Sequence, residues 1–528
     1  MKRFCFVLLI MLTCVSLVFA SAASEKVSNE NVVVTAARPI PDDISFPDGD
    51  SLDNNIWTRL YESELGIKIE YDWLVPVAQY DQKLSLSITA DTLPDMFSVN
   101  ASQLKLLVEE GMIADLSKVY DEYASDLTKN VLSQDGGSAM ESATFNGKLY
   151  ALPKMESAFG NANVLWIRTD WLEKLGLEEP KTMEDLLNVI EAFASNDPDG
   201  NGKKDTFGLA VNMDLYGTMF ASLTGFFNGY GSYPNSWVEQ EDGTLLNGNI
   251  LPETKDALKA LQKLYKDGCI DPEFGVKNCF AISPDVGSGK IGVMYGLFWN
   301  MGWITEMKAA DPSVEWKAFS ILAVDGKDAI AQVPFPINKY FVVNSDAKNP
   351  EALIKMLNLV LEKNFGATAE PDKYNVDSEG RPIFEYPFMY CEPPMKNLDA
   401  QTHVTEALAT GDSSKLNAEE TGYYDQIVAY RNGDINGWGS EMNYGPESSM
   451  AVINEYVKDG RFISDKYYGS VTEGMSKSQA VLDQLTVQVF TDIILGKDIS
   501  AFDQYVKDWN ALGGDVITGE VNEWKKNR

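Results

Sequence analysis

Apolar residues follow two rhythms along this chain, and the switches between them lay out its elements. Val32-Val33-Val34-Thr35 is a β-branched run suited to a buried strand. Residues 52–65 then carry Ile56, Leu60 and Leu65 at helical spacing, with Asp53 and Asn54 near the start and Gly66 as the stop. Ile67 to Tyr71 alternates as a second strand, 80–89 has helical period, and 94–99 reads as a third strand. Strand, helix, strand, helix, strand predicts a parallel sheet with helices packed outside it. Ligands of such sheets bind beyond the carboxyl ends of the strands.

A second unit begins near residue 153. Gly147 to Pro153 is a short strand ended by proline, and Val164-Leu165-Trp166-Ile167-Arg168 is another, followed by helices over 170–175 and 182–195. Phe207 to Ala210, Ile291 to Tyr295 and Tyr340 to Val343 read as later strands, and helices dominate after about 350, including 350–363, 478–495 and 500–511. No internal repeat interrupts this order. The expectation is an α/β chain of two lobes, crossed more than once by the backbone.

Charge narrows the function. The 528 residues hold 44 Lys and Arg against 78 Asp and Glu, a formal charge of −34, which phosphate backbones and anionic lipid would repel. His403, in the stretch Gln401 to Val404, is the one histidine and is read as a surface residue; a multi-histidine metal site is excluded and a His-based triad has a single candidate base. Met1-Lys2-Arg3, the apolar run Phe4 to Phe19 and Ala20-Ser21-Ala22 read as an export signal over residues 1–22, too short to span a membrane. The mature protein is expected to be periplasmic or extracellular. Lipid anchoring through Cys14 is the alternative, although Met11 and Thr13 fit a lipoprotein box poorly. Cys269, Cys279 and Cys391 make no disulfide framework; the first two either close a small loop or are free thiols.

The sharpest local motif is Asp197-Pro198-Asp199-Gly200-Asn201-Gly202-Lys203-Lys204-Asp205. Side-chain oxygens stand at positions 1, 3, 5 and 9, glycine at position 6, and Lys203 offers a backbone carbonyl at position 7. A hard cation of high coordination number needs that spacing, so Asp197, Asp199, Asn201, Lys203 and Asp205 are expected to hold a structural Ca²⁺. Position 12, normally a bidentate glutamate, is Gly208; a solvated turn is the competing reading. Gly287-Ser288-Gly289-Lys290-Ile291-Gly292 fits a dinucleotide pattern, but it enters a strand instead of opening a helix and is read as a surface turn. Trp299 and Trp303 stand four apart just after a strand end, where ring faces can stack on sugar C–H faces or fill the core. Trp438 lies between Gly437 and Gly439, which leave little to bury it, and is expected to be exposed. Trp166, inside an apolar strand, is expected in the core.

Several segments in order carry a family resemblance: Leu93-Pro94-Asp95-Met96-Phe97, Gly111 to Leu116, Asn146 to Pro153, Trp166 to Leu172, the Asp197 loop, Phe502 to Trp509 and Leu512-Gly513-Gly514-Asp515. Together they resemble the family 1 extracellular solute-binding proteins of bacterial ABC transporters, in the subgroup similar to alginate- and oligosaccharide-binding proteins. The resemblance implies the two-lobe periplasmic-binding-protein fold of type II kind, hinged around a central cleft. Lobe 1 would take 23–152 and about 338–400, and lobe 2 would take 153–337 and about 401–528. It implies a monomer that closes on a carbohydrate, most plausibly an oligosaccharide, hands it to the permease subunits of an ABC importer, and catalyses nothing. A tryptophan after the strand ending near Tyr295 would then face the cleft, and Glu156 and Asn100 fall where ligand contacts would lie, with hydrated surface loops as the alternative. Trp73 and Arg168 complete the candidate set. Proteins similar to this one often place an acidic residue directly after the ninth loop position, where this chain has Thr206. A secreted glycoside hydrolase, needing only two suitably spaced carboxylates, is the competing class, and the same fold binding a peptide is a further one.

Overall fold

The computed structural model describes residues 32–41, 44–335, 337, 339–377, 381 and 383–527. The expected export signal and Cys14 lie outside the described residues. The strands that frame the cleft are β1 (Val32–Ile40), β2 (Ile67–Pro76), β3 (Met96–Val99), β4 (Leu152–Pro153), β5 (Val164–Arg168), β6 (Phe207–Leu209), β7 (Ile291–Gly296), β8 (Trp316–Phe319), β9 (Ala331–Val333), β10 (Tyr340–Val343) and β11 (Phe462–Ser464).

Two sheets result. The first runs β2-β1-β3-β10-β4, with β1 parallel to β2 and β3, and β10 antiparallel to β3 and β4. The second runs β8-β5-β7-β6, with β5 antiparallel to both neighbours and β6 parallel to β7. A short parallel pair joins β9 to β11. Composition explains the positions. Central strands such as β3, β5, β7 and β10 are buried at every residue and read as continuous apolar runs, whereas the edge strand β2 alternates.

Local signals set the helices. Ile56–Leu65 starts at an Asn55 cap that accepts from Trp57 and Thr58 and stops at Gly66, whose φ of 63° is the left-handed turn that glycine makes freely. The predicted start at residue 52 is four residues early, because Ser51 to Asn54 serve the cap and turn. Met183–Ser195 opens on a Thr182/Asp185 capping box. His403 sits within the helix Lys396–Thr410, exposed, with Nδ1 2.8 Å from Glu420.

The apolar interior divides. One core draws on Val34 to Met155 and Ile337 to Cys391, the other on Phe159 to Val333 and Leu398 to Val521. We call these lobes 1 and 2. The chain crosses between them three times, and the crossovers are bonded to one another: Lys154 N donates to Lys339 O (2.9 Å) and Glu392 N to Met155 O (3.0 Å). Cys269, Cys279 and Cys391 are free and buried. No helix among the described residues is long and apolar enough to cross a membrane.

Candidate ligand-binding cleft

Strand direction decides which end of each sheet can face the other lobe. Tyr340 pairs with both Val99 and Pro153, so β3 and β4 end, and β10 begins, where the crossovers leave lobe 1. In lobe 2, Gly296 pairs with Val164, so β7 ends beside the start of β5. Beyond that edge lies a cavity of about 410 Å³, bordered by residues that follow β7, β9 and β11, including Leu297, Phe335 and Asp465. This is the carboxyl-end location expected of the fold.

Neutral polar groups line it. Asn161 and Asn163 come from the first crossover, Thr218, Ser222 and Thr224 from the segment after β6, and Gln332 from β9. Buried Asn212 holds that segment, its Nδ2 donating to Phe220 O (2.9 Å), Ala221 O (3.0 Å) and Thr218 Oγ1 (3.0 Å). Within that segment Leu215 (φ 62°) and Ala221 (56°) sit in the left-handed region, as does Asn235 (57°) on the cavity border. Side chains other than glycine stay there only where surrounding structure fixes them, commonly at ligand sites.

Asp465 follows β11 and is half-buried. Its Oδ1 accepts from Trp237 N (3.0 Å) and Tyr467 N (2.9 Å). Burial nevertheless pushes the carboxyl up to about 6, the two backbone donors offsetting only part of the desolvation. The same residue borders two adjoining cavities, of about 340 and 400 Å³. A fourth, of about 560 Å³, lies between lobes: Ala101, Leu104 and the turn around Asn146 face Tyr467 to Glu473 and Trp524. Aromatic rings wall this region, with Phe335 stacked on Tyr468 (5.2 Å, 15°) and Trp524 set edge-on to Tyr467 and Tyr468 (4.8 and 5.0 Å). Val471 N donates to Ser102 Oγ across the lobes (3.2 Å).

The sequence-predicted residues divide. Trp299 and Trp303 stand just beyond β7, 4.9 Å apart and outside the borders of the four cavities; Trp299 is half-buried and Trp303 is 43% exposed, stacked against Phe220 and Phe280. Glu156 is exposed at the first crossover, where Lys154 pairs with it (3.5 Å) and with Glu385 (3.7 Å). Asn100 lies at the carboxyl end of β3, but its side-chain oxygen caps the next helix, accepting from Gln103 N (2.9 Å). Trp73 is half-buried on the edge strand against Tyr80 (5.3 Å), with Lys83 5.9 Å above its ring. Trp166 is core, as read from the sequence.

Two expectations are corrected. Trp438 is fully buried, not exposed. Its flanking glycines serve close packing: a Cβ on Gly437 would lie 2.0 Å from Gln426 O, and one on Gly439 3.3 Å from Gly302 Cα. Arg168 is 4% exposed at the other end of the second sheet, away from the cleft; it forks onto Asp170 (2.8 and 2.6 Å) beneath Trp171. A strand antiparallel to its neighbours puts its last residue at their beginnings.

The Asp197 loop also lies at that far end, leading into β6. Asn201 Nδ2 donates to Asp199 Oδ2 (2.6 Å) and Asp205 Oδ1 (3.0 Å), Lys203 N donates to Asn201 Oδ1 (2.7 Å), and Gly202 N donates to Asp197 Oδ2 (3.1 Å). Asp197 Oδ1 is buried with no hydrogen-bond partner. Burial, then the carboxylates of Asp197 and Asp205, push Asp199 above its ordinary value. Among the described residues no three acidic, histidine or cysteine side chains gather as a ready metal cluster; the Asn201 amide stands between two of the carboxylates. At position 12 no side chain fits, since a Cβ on Gly208 would lie 2.1 Å from Ile190 O.

Sequence reasoning missed Asp465, Tyr467, Tyr468, Phe335 and Trp524. Their neighbours in space are far apart in sequence, and no motif marks them.

Known proteins share this fold. A curated relative, the polygalacturonan/rhamnogalacturonan-binding protein YtcQ of Bacillus subtilis (strain 168), is 25% identical over 86% of this chain and 85% of its own length. Among solved structures, an HMO-binding ABC-transporter-associated solute-binding protein from Bifidobacterium longum infantis ATCC 15697 superposes with a TM-score of 0.62 at 18% identity, covering 94% of this chain and 98% of that one. An EF-hand mutant of the S. pneumoniae ABC-transporter substrate-binding protein FusA, in complex with fructo-nystose, superposes with a TM-score of 0.55 at 17% identity over 94% and 100%. The family model for bacterial extracellular solute-binding proteins matches residues 43–364, well over half of the chain, and this chain belongs to that family.

Proposed function

We propose that the protein captures an oligosaccharide between its lobes and delivers it to the membrane permease of an ABC importer, without chemical change to the ligand. One observation carries the reading: amides, hydroxyls and a single carboxylate border the cavity beyond the strand ends, next to aromatic rings. Amides and hydroxyls match sugar hydroxyls, and ring faces match sugar C–H faces. The polysaccharide and oligosaccharide ligands in the relatives' names support it. In this reading Trp299, Trp303 and Trp73 flank the ligand, Asn100 and Glu156 lie beside it, and the bonded crossovers are the hinge on which the lobes close.

The Asp197 loop is proposed to bind Ca²⁺ as a structural ion. The orphaned Asp197 Oδ1 suits a hard cation, as do the Asp199 and Asp205 oxygens that share the Asn201 amide as donor, once that amide turns. Asn201 would contribute its amide oxygen and Lys203 its backbone carbonyl. The EF-hand in the name of the FusA mutant supports the assignment.

The test is thermal melting of the full-length chain against mono- and oligosaccharides and peptides, with and without calcium, while assaying each mixture for products. A bound oligosaccharide at about a hundred times its Kd stabilises by roughly 2.7 kcal/mol. A shift with peptides alone overturns the ligand, and a hydrolysis product overturns the binding-protein reading in favour of a glycosidase.

A further inference from the structure

The cleft is selective in charge as well as in shape. Among the described residues, the cavity beyond the strand ends has no lysine or arginine on its border, and its one charged residue is Asp465. Across the four adjoining cavities three lysines stand against seven carboxylates. One of those lysines, Lys525, is already committed to Glu239 (2.7 Å) and Gly243 O (2.8 Å). Asp465 is anchored through Oδ1 by two backbone N–H groups, whereas Oδ2 accepts from no donor among the described residues and is left to the cavities the residue borders. A carboxylate fixed by one oxygen and open at the other accepts well from hydroxyl or ammonium groups and repels a second carboxylate.

Resting on the carbohydrate reading, we infer that the ligand is an oligosaccharide without acidic groups, that Asp465 Oδ2 accepts from its hydroxyls, and that this residue excludes uronic-acid, sulfated and phosphorylated sugars. An anionic saccharide would bring a charge into a half-buried cavity whose described border holds no cation to meet it, Lys105 and Lys466 standing only on the adjoining cavities. The expected specificity thus departs from the polygalacturonan and rhamnogalacturonan named for the B. subtilis relative, both of which contain acidic galacturonate residues.

Calorimetric titration tests this with two matched series, neutral gluco-, xylo-, galacto- and fructo-oligosaccharides against oligogalacturonates and oligoalginates of equal length. The full-length chain is used, at neutral pH and two ionic strengths. At least one neutral series is expected to bind, uronates at least 100-fold more weakly, and salt to change only the uronate affinity. D465N keeps an oxygen for the Trp237 and Tyr467 N–H groups. It should lose about 20-fold or more in neutral-sugar affinity while narrowing the gap to uronates. Should D465N fail to fold, the wild-type panel and its salt dependence still decide the question. Uronates binding as tightly as neutral sugars, or unchanged neutral-sugar affinity in folded D465N, would overturn the inference and leave the carbohydrate reading standing. Binding by no saccharide of either series overturns that reading, and the inference falls with it.

Discussion

The two ends of the second sheet are built in opposite ways. The far end, at the entry to β6, is the nine-residue Asp197 loop, whose side chains bond to near neighbours in sequence. The cleft end draws on segments around residues 161, 218, 235, 332 and 465. It depends on strand order, three crossovers and a strained loop held by Asn212. A local site is encoded by spacing and tolerates changes elsewhere. A distributed one is encoded by the fold and fails when the fold shifts.

Gly208 tests that difference most severely. It stands where a calcium loop would carry its glutamate, so G208E would complete the motif on paper. With Ile190 O in the place of its Cβ, the substitution should instead cost about 3 kcal/mol or more and weaken both ends of the sheet. Denaturant melts and calcium titration check this, and a variant that bound calcium more tightly with unchanged stability would sink the packing argument. D199A is gentler and should separate the ends. Calcium at a hundred times its Kd should stabilise the wild type by roughly 2.7 kcal/mol and this variant by almost nothing, with sugar affinity within twofold. Equal losses at both sites would mean that the ends are coupled.

The smallest effect is one of pH. Folding raises the Asp465 pKa to about 6, so between roughly pH 4 and 6 the folded chain keeps a proton that the unfolded chain has released. The Asp465 contribution to stability is therefore lost as pH rises through that window. D465N removes the penalty and should stabilise the unliganded protein at pH 7 by about 1–2 kcal/mol, with no gain at pH 4. Melting curves at the two pH values decide; an equal change at both would assign the effect to packing.

Legibility followed the same division. Val32, Val164 and Ile291 open strands readable from apolar runs, Ile67 opens one readable from alternation, and Gly66 marked a helix end, because these signals act within a few residues. The turn at Asp197 ahead of β6 was readable for the same reason. Trp438 was misread because flanking glycines look alike whether they expose a ring or admit a neighbouring helix; the contact with Gln426 that decides between them is tertiary. Arg168 was misplaced because strand direction in a mixed sheet is set by pairing partners. Asp465 gave no signal at all: its importance lies in facing cavities that other segments enclose.

The crossovers carry a mechanical consequence. One strand between two bodies is a thread, free to twist and swing. Three strands bridged at Lys154–Lys339 and Met155–Glu392 form a strap, stiff in its own plane and supple only across it. Such a strap would confine any relative motion of the lobes to little more than a single bending coordinate. If the lobes close as proposed, the two faces of the cleft would meet in the same register each time, and a ligand between them would meet the same opposing surface.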